Sequence, residues 1–322
     1  MLFIITLEVA TMLQNKSSLS AILCVIAASV LWGTTGTASA FIPDVSPLAV
    51  GAFSMGVGGV FLVLNAKNNL LSDRQKLISQ PSLLFIGSLG VAIYPLAFYS
   101  SMRLAGVAIG TVISIASAPF FTVIMERLIS NKIVTSRWVV SFIFGVVGVI
   151  LLTLGKTQYL DINTQANNRI LGVLLGLVAG LTYATYSWTA RQMIENGVNS
   201  KSAMASMFGL SAILLLPSLL LTGENLFLDA KHISVALYLA IAPMFFGYLL
   251  FGQALRVIEA SKATLITLLE PIVATILAII IIGETFSPIG WLGMSLMIIC
   301  LLLQVMKTPK LTGYRRRHAL YK

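Results

Sequence analysis

The chain has 322 residues, of which 57% are hydrophobic and only 10% charged; its mean hydropathy is +0.94 and its formal net charge +10. Soluble domains carry roughly 25% charged residues, so this composition excludes a water-covered surface and makes lipid the solvent for most of it. The basic excess sits one to three residues at a time between apolar runs, which excludes a nucleic-acid-binding face; the one cluster, Arg315, Arg316 and Arg317, is a tail that either lies against anionic lipid or is simply solvated.

The chain opens on MLFIITLEVATML, which lacks the basic start and small-residue cleavage site of a signal peptide. This stretch is too short to span a bilayer and contains Glu8. Met12 precedes the polar lead-in Leu13-Gln14-Asn15-Lys16 and is expected to serve as the start of translation, which an intact N-terminus in mass spectrometry would refute. Residues 1–17 are therefore read as a lead.

A helix needs about 20 apolar residues to cross the hydrocarbon core. Ten runs meet that need, near 18–39, 45–66, 83–104, 108–129, 135–155, 170–194, 202–223, 233–258, 263–284 and 288–307. Gly106 is expected in a tight turn between the third and fourth, and Thr285-Phe286-Ser287 joins the last two. The longer gaps, 67–82 with Asp73 and 156–169 with Asp161, are polar. Open strands are excluded inside lipid because their backbone groups would go unpaired. A closed barrel would alternate apolar and polar residues, whereas these runs are continuous. Cys24 and Cys300 lie inside runs and read as small core residues.

Lys and Arg counts set the expected orientation. With the N-terminus inside, 17 basic residues fall on the cytoplasmic side and 4 (Arg103, Lys156, Arg169, Lys231) outside. The chain also repeats. Trp138 and Trp291 stand 153 residues apart, each opening a fifth helix, and Arg103 and Arg256, also 153 apart, each close a third. Pro119 and Pro271 match in the fourth helices, Pro95 and Pro243 in the third. Five helices per half is odd, so the halves are expected to be inverted. The fold expected is an all-α membrane protein of ten transmembrane helices in two inverted five-helix repeats, 18–155 and 170–307, with linker 156–169, a basic cytoplasmic tail 308–322 and both termini cytoplasmic. Prolines at matching places in two such halves point to a site at their interface, with Pro95, Pro119, Pro243 and Pro271 as hinges.

Leu31-Trp32-Gly33-Thr34-Thr35-Gly36, Ala254-Leu255-Arg256, Leu269-Glu270-Pro271 and Gly283-Glu284 follow one another in an order that resembles the drug/metabolite transporter superfamily, specifically its EamA-type ten-helix carriers, over about residues 20–305. The first half departs from the pattern: Ser117-Ala118-Pro119 replaces the acidic version, and Ser130-Asn131 stands where Gly-Glu would be. The resemblance implies a carrier of amino acids or related metabolites.

Glu270 is the only ionisable side chain well inside a run. A carboxylate at that depth costs several kcal/mol unless paired or protonated, so it marks either a function or a lock. It reads as a contact for a substrate amine or a proton, or alternatively as a protonated acid holding its helix to a neighbour or pairing with Arg256. Pro271 beside it withdraws a backbone donor. Trp32 and Thr34 in the first helix and Tyr183 and Tyr186 in the sixth begin the two halves. Tyr94, Tyr99, Ser114, Ser117, Tyr248, Gln253 and Thr267 complete the polar set, which reads as a cavity wall or as an interfacial belt with interhelical hydrogen bonds. Gly172, Gly176 and Gly180 form a small-residue stripe read as packing within the chain, with a weak homodimer as the alternative.

The sequence holds no GxxxxGK phosphate loop. His232 and His318 are isolated and placed outside the runs, so no metal, cofactor or catalytic triad is expected. No Lys or Arg lies at mid-depth, which disfavours the phosphate- and nucleotide-sugar-carrying branches, whose anionic cargo needs positive charge. The function expected is a secondary transporter of the bacterial inner membrane, not an enzyme, exporting amino acids or related small amphiphilic metabolites as a monomer or weak homodimer. A multidrug exporter of the same fold, or a membrane protein that transports nothing, are the alternatives.

Overall fold

The computed structural model describes residues 2–105, 107–155, 166–283, 285 and 287–306. Ten helices in that range are long and apolar enough to cross a membrane: α1 (Ser17–Ser39), α2 (Pro47–Asn65), α3 (Pro81–Ala105), α4 (Gly110–Leu128), α5 (Ser136–Leu154), α6 (Asn168–Glu195), α7 (Ser200–Thr222), α8 (Ala230–Ala254), α9 (Ala260–Ile281) and α10 (Pro288–Val305). Every end lies within four residues of the run expected from hydropathy. The α1 helix continues back to Leu2, so the lead is not separated from the first span by a break. The 66–80 gap is helical as well, in two short pieces, Lys67–Ser72 and Arg74–Ile78. Gly106, residues 156–165, Glu284, Phe286 and the tail 307–322 lie outside the described residues.

Local chemistry explains where several spans begin. Thr135 accepts the Trp138 N–H, Asn199 the Lys201 N–H and Asp229 the His232 N–H, each relieving an orphan donor of a first turn. Pro47 and Pro288 occupy first-turn positions, where a missing N–H costs nothing. The outward faces are aliphatic and aromatic: Leu220 is 90% and Leu221 92% exposed, as suits side chains whose neighbour is lipid.

The closest interfaces join α3 to α6, α4 to α6, α2 to α7, α5 to α10, α1 to α8 and α1 to α9. All six connect the first five helices to the last five, and shifting each label by five reproduces the same set. Thus α6 packs into the first half and α1 into the second. Gly172 and Gly176 of α6 lie against Ala105 and Ser101 of α3, and Gly180 against Ser117 of α4, so the small-residue stripe is consumed inside the chain. Ser101 also donates to the Gly172 carbonyl at 2.7 Å.

Bonds between connecting segments respect alternation. Lys76 reaches the Gly197 carbonyl (2.7 Å), Asp73 accepts the Asn199 N–H (2.9 Å) and Lys132 meets Glu195 (2.8 Å), all among even-numbered connections. Asp44 meets His232 (3.0 Å), and the Ser287 N–H donates to the Gly155 carbonyl (2.9 Å), both among odd-numbered ones. The helices therefore present two distinct ends: a basic end and an end built from 40–46, 223–229, Gly283, Thr285 and Ser287.

Candidate functional site: an aromatic chamber around Glu270

The backbone of the second half departs from α-helix at Pro243 and just before Pro271. In α9 a helical piece Ala260–Ile266 stops, two turn residues follow, and helix resumes at Leu269–Leu277. Pro271 has no N–H for the Thr267 carbonyl, and the Glu270 N–H takes that carbonyl instead at 2.9 Å, tightening the turn. In α8 the segment Ala240–Phe246, containing Pro243, is a π-helix. There the Gly247 N–H reaches back to Ala242, and the Pro243 carbonyl accepts the Trp32 indole N–H at 2.9 Å. By contrast, α-helix runs without interruption through Pro95 and Pro119.

These breaks surround a chamber. Its inner part, about 50 Å3, lies between Trp32, Tyr94, Tyr183, Tyr186, Tyr248 and Glu270. It widens past Glu270, Thr35 and Tyr99 to about 390 Å3, walled by Ile42, Val45, Val50, Met102 and Ile115, and so reaches the connection between α1 and α2. The rings are fixed to one another. Tyr186 and Tyr248 share a hydroxyl hydrogen bond of 2.9 Å, Tyr183 donates to Thr267 at 3.1 Å, and the Trp32 and Tyr248 ring centres stand 4.9 Å apart. Two rings need glycine opposite them: a Cβ at Gly247 would stand 2.6 Å from the Trp32 indole nitrogen, and one at Gly51 2.5 Å from the Tyr99 ring. Among the described residues, Glu270 has no hydrogen-bond or ion-pair partner for its carboxyl group, and its side chain is only half-buried because it faces the chamber.

The EamA-like transporter family model matches this chain twice, over residues 19–154 and 170–306. The chain belongs to the EamA-like transporter family. A Bacillus subtilis relative, the uncharacterised transporter YwfM, is 32% identical over 286 residues, covering 87% of this chain and 92% of its own. The uncharacterised inner membrane transporter YicL of Salmonella typhimurium is 22% identical over 299 residues, covering 89% and 95%. A solved crystal structure superposes with a TM-score of 0.74 over 88% of this chain and 96% of its own, at 16% identity, a likeness of fold alone.

In this EamA-like transporter the chamber gathers seven of the side chains expected from sequence: Trp32, Tyr94, Tyr99, Tyr183, Tyr186, Tyr248 and Glu270. Thr267 sits behind them as the acceptor for Tyr183. Four others lie elsewhere. Thr34 accepts from Tyr238 in a crevice between α1, α8 and α9, because one helical residue turns the side chain by about 100° away from Thr35, which does face the chamber. Ser114 and Ser117 belong to the α4–α6 contact, where Ser114 bonds the Gly110 carbonyl and Ser117 abuts Gly180. Gln253 is exposed near the basic end beside Arg256. Ser54, Phe98 and Met244 line the chamber without having been singled out; they sit in plain apolar runs that carry no signal of a site.

The basic end of the bundle carries a charge network. Lys132 of the α4–α5 connection meets Glu195 of α6 at 2.8 Å and Glu259 of the α8–α9 connection at 3.5 Å. Arg191 meets Glu195 at 3.0 Å and Glu259 at 3.6 Å, and bonds the Leu255 carbonyl at 2.6 Å. The hydrogen bond to Glu195 holds the Lys132 ammonium above its ordinary range. Glu126, 4% exposed, accepts the Ser261 N–H at 3.0 Å and so ties α4 to the first turn of α9. At the opposite end His232 bridges Asp229 (2.7 Å) and Asp44 (3.0 Å), pinning the connection that forms the chamber's mouth. Both carboxyls are held below the usual range, chiefly by these hydrogen bonds.

Proposed function

We propose that this transporter is a secondary carrier of the bacterial inner membrane that exports small amphiphilic metabolites, amino acids and amines among them, by alternating access. The observation that carries the reading is the chamber itself: one unpartnered carboxyl group within an aromatic wall, reaching one end of the bundle, while Lys132, Arg191, Glu195 and Glu259 are tied together at the other end. Exchange between this state and its opposite requires the chamber mouth to close while the charge network parts. The breaks at Pro243 and Thr267-Leu268 supply compliant backbone for that motion, since irregular backbone inside a membrane is tolerated where it lines a cavity.

The 17 to 4 distribution of Lys and Arg supports a cytoplasmic basic end, with both termini inside and the two halves in opposite senses. A monomer suffices as the working unit, since the glycine stripe is spent within the chain. Glu270 couples transport to the proton gradient by exchanging a proton for the solute. The apolar mouth at Ile42, Val45 and Ile115 favours a second reading, a multidrug exporter.

The test is an unbiased screen of metabolites released by cells overproducing the protein, with Glu270→Gln as control. Selective release of amine-bearing amphiphiles, lost in the variant, is the expected result. Broad drug resistance with no metabolite release would favour the second reading, and a profile identical to that of the variant would refute both.

A further inference from the structure

Resting on the carrier reading and narrowing its cargo from amino acids toward amines, we infer that the chamber prefers a monocationic amine with an apolar tail over the zwitterion that carries the same tail. The charge inventory of the chamber is one-sided. Helices α1, α2, α3, α4, α6, α8 and α9 all contribute to its wall, and none of their lining residues is Lys, Arg or His. Glu270 is the single Asp, Glu, Lys, Arg or His side chain in the wall.

A half-helix N-terminus inside a carrier can hold a substrate carboxylate when its N–H groups are free. Here that route is obstructed. The piece that resumes at Leu269 has Glu270 in its first turn, where the carboxylate itself meets the dipole, and Pro271 offers no N–H. The Leu268 N–H is bonded to the Leu265 carbonyl (3.3 Å) and the Glu270 N–H to the Thr267 carbonyl (2.9 Å). The side-chain donors of the wall are all neutral: hydroxyls, and the Trp32 indole N–H, which is taken by the Pro243 carbonyl. The hydroxyls of Tyr183, Tyr186 and Tyr248 are engaged with Thr267 or each other. A carboxylate entering this chamber would therefore lose its water with no charge to offset the loss, and would stand beside Glu270.

A cation faces the reverse situation. It gives Glu270 its missing counter-charge, and the faces of Trp32, Tyr94, Tyr99 and Tyr248 add attraction for an ammonium at short range. Glu270 borders both the inner aromatic part and the wider apolar part. An amine at the carboxylate thus leaves its tail among Ile42, Val45, Val50, Met102 and Ile115.

The test uses three probes with one ring: 2-phenylethylamine, phenylalanine and 3-phenylpropionate, titrated at pH 7 into the full chain in lipid nanodiscs. The amine is expected to bind at least about tenfold more tightly than phenylalanine, with phenylpropionate weaker still. Glu270→Gln is expected to abolish that ratio, and Glu270→Asp to retain part of it. Phenylalanine binding as tightly as the amine would overturn the inference, as would the absence of saturable amine binding, or a ratio unchanged in Glu270→Gln. Should Glu270→Gln not fold, the ratio in the native chain decides alone. Flux in liposomes is read separately: amine binding without flux would retire the carrier reading and leave the selectivity standing, whereas phenylalanine flux without amine preference would do the opposite.

Discussion

Trp32 is held twice at the pyrrole end of its indole. Its N–H bonds the carbonyl that the π-segment of α8 leaves facing it, and the ring sits on the bare backbone of Gly247. The two supports are separable. Trp32→Phe keeps a ring and removes the bond, which is expected to cost about 1 kcal/mol of stability, the net worth of a typical buried hydrogen bond. Gly247→Ala puts a methyl where the indole nitrogen lies and is expected to cost more, about 1–3 kcal/mol, because the ring must leave its rotamer or the helices must part. Thermal unfolding in a fixed detergent orders the two variants. An alanine at 247 as stable as the native chain would contradict this account of how Trp32 is placed. Of the twelve binding side chains expected from sequence, the aromatic ones and Glu270 fell in the chamber and the small hydroxyls mostly did not. The reason is physical. An aromatic with a polar tip or a deep carboxylate has few tolerable places in a bilayer-spanning helix, whereas Ser or Thr satisfies itself on the carbonyl three or four residues back, as Ser114 and Thr34 do.

The elements differ more than their sequences do. Prolines occur at matching places in α3, α4, α8 and α9, and sequence alone makes all four into hinges. Only α8 and α9 depart from α-helix near their prolines, and which carbonyl finds another donor depends on contacts between helices that no local pattern encodes. Boundaries were legible because hydropathy and length fix them; the charge network was not, because Lys132, Arg191, Glu195 and Glu259 come from three separate segments. Pairs as exposed as these are worth about 0.5–1 kcal/mol each. Glu195→Gln is therefore expected to raise the reactivity of a cysteine at Thr264, measured with an impermeant thiol reagent from the basic end after replacement of Cys24 and Cys300, by about two- to fivefold. Unchanged reactivity would remove the network from the gate. At the mouth, His232→Ala is expected to speed hydrogen exchange in residues 40–46. The Asp44 and Asp229 carboxyls stay ionised until pH falls through their lowered values, so their side of the clamp holds from pH 7 to 5 and is lost only below the ordinary carboxylate value near 4. Loss of protection already at pH 5 would contradict that assignment.

At the scale of the whole molecule, the six closest interfaces map onto one another under a shift of five helices, yet the site at their centre is unequal. The second half supplies the acid, the broken α9 and the π-segment of α8; the first supplies Trp32, Tyr94 and Tyr99 on unbroken helices. The proposed alternating access requires two end states of similar energy, which a near-symmetric frame would supply. Counterflow tests this most directly. Liposomes loaded with an unlabelled amine, such as 2-phenylethylamine, are diluted into a trace of the labelled compound, so that only exchange through a saturable site concentrates label inside. The native chain is expected to give a transient overshoot of label that Glu270→Gln lacks. An overshoot unchanged in Glu270→Gln, or none above empty liposomes, would contradict the proposal that this chamber is the transport site.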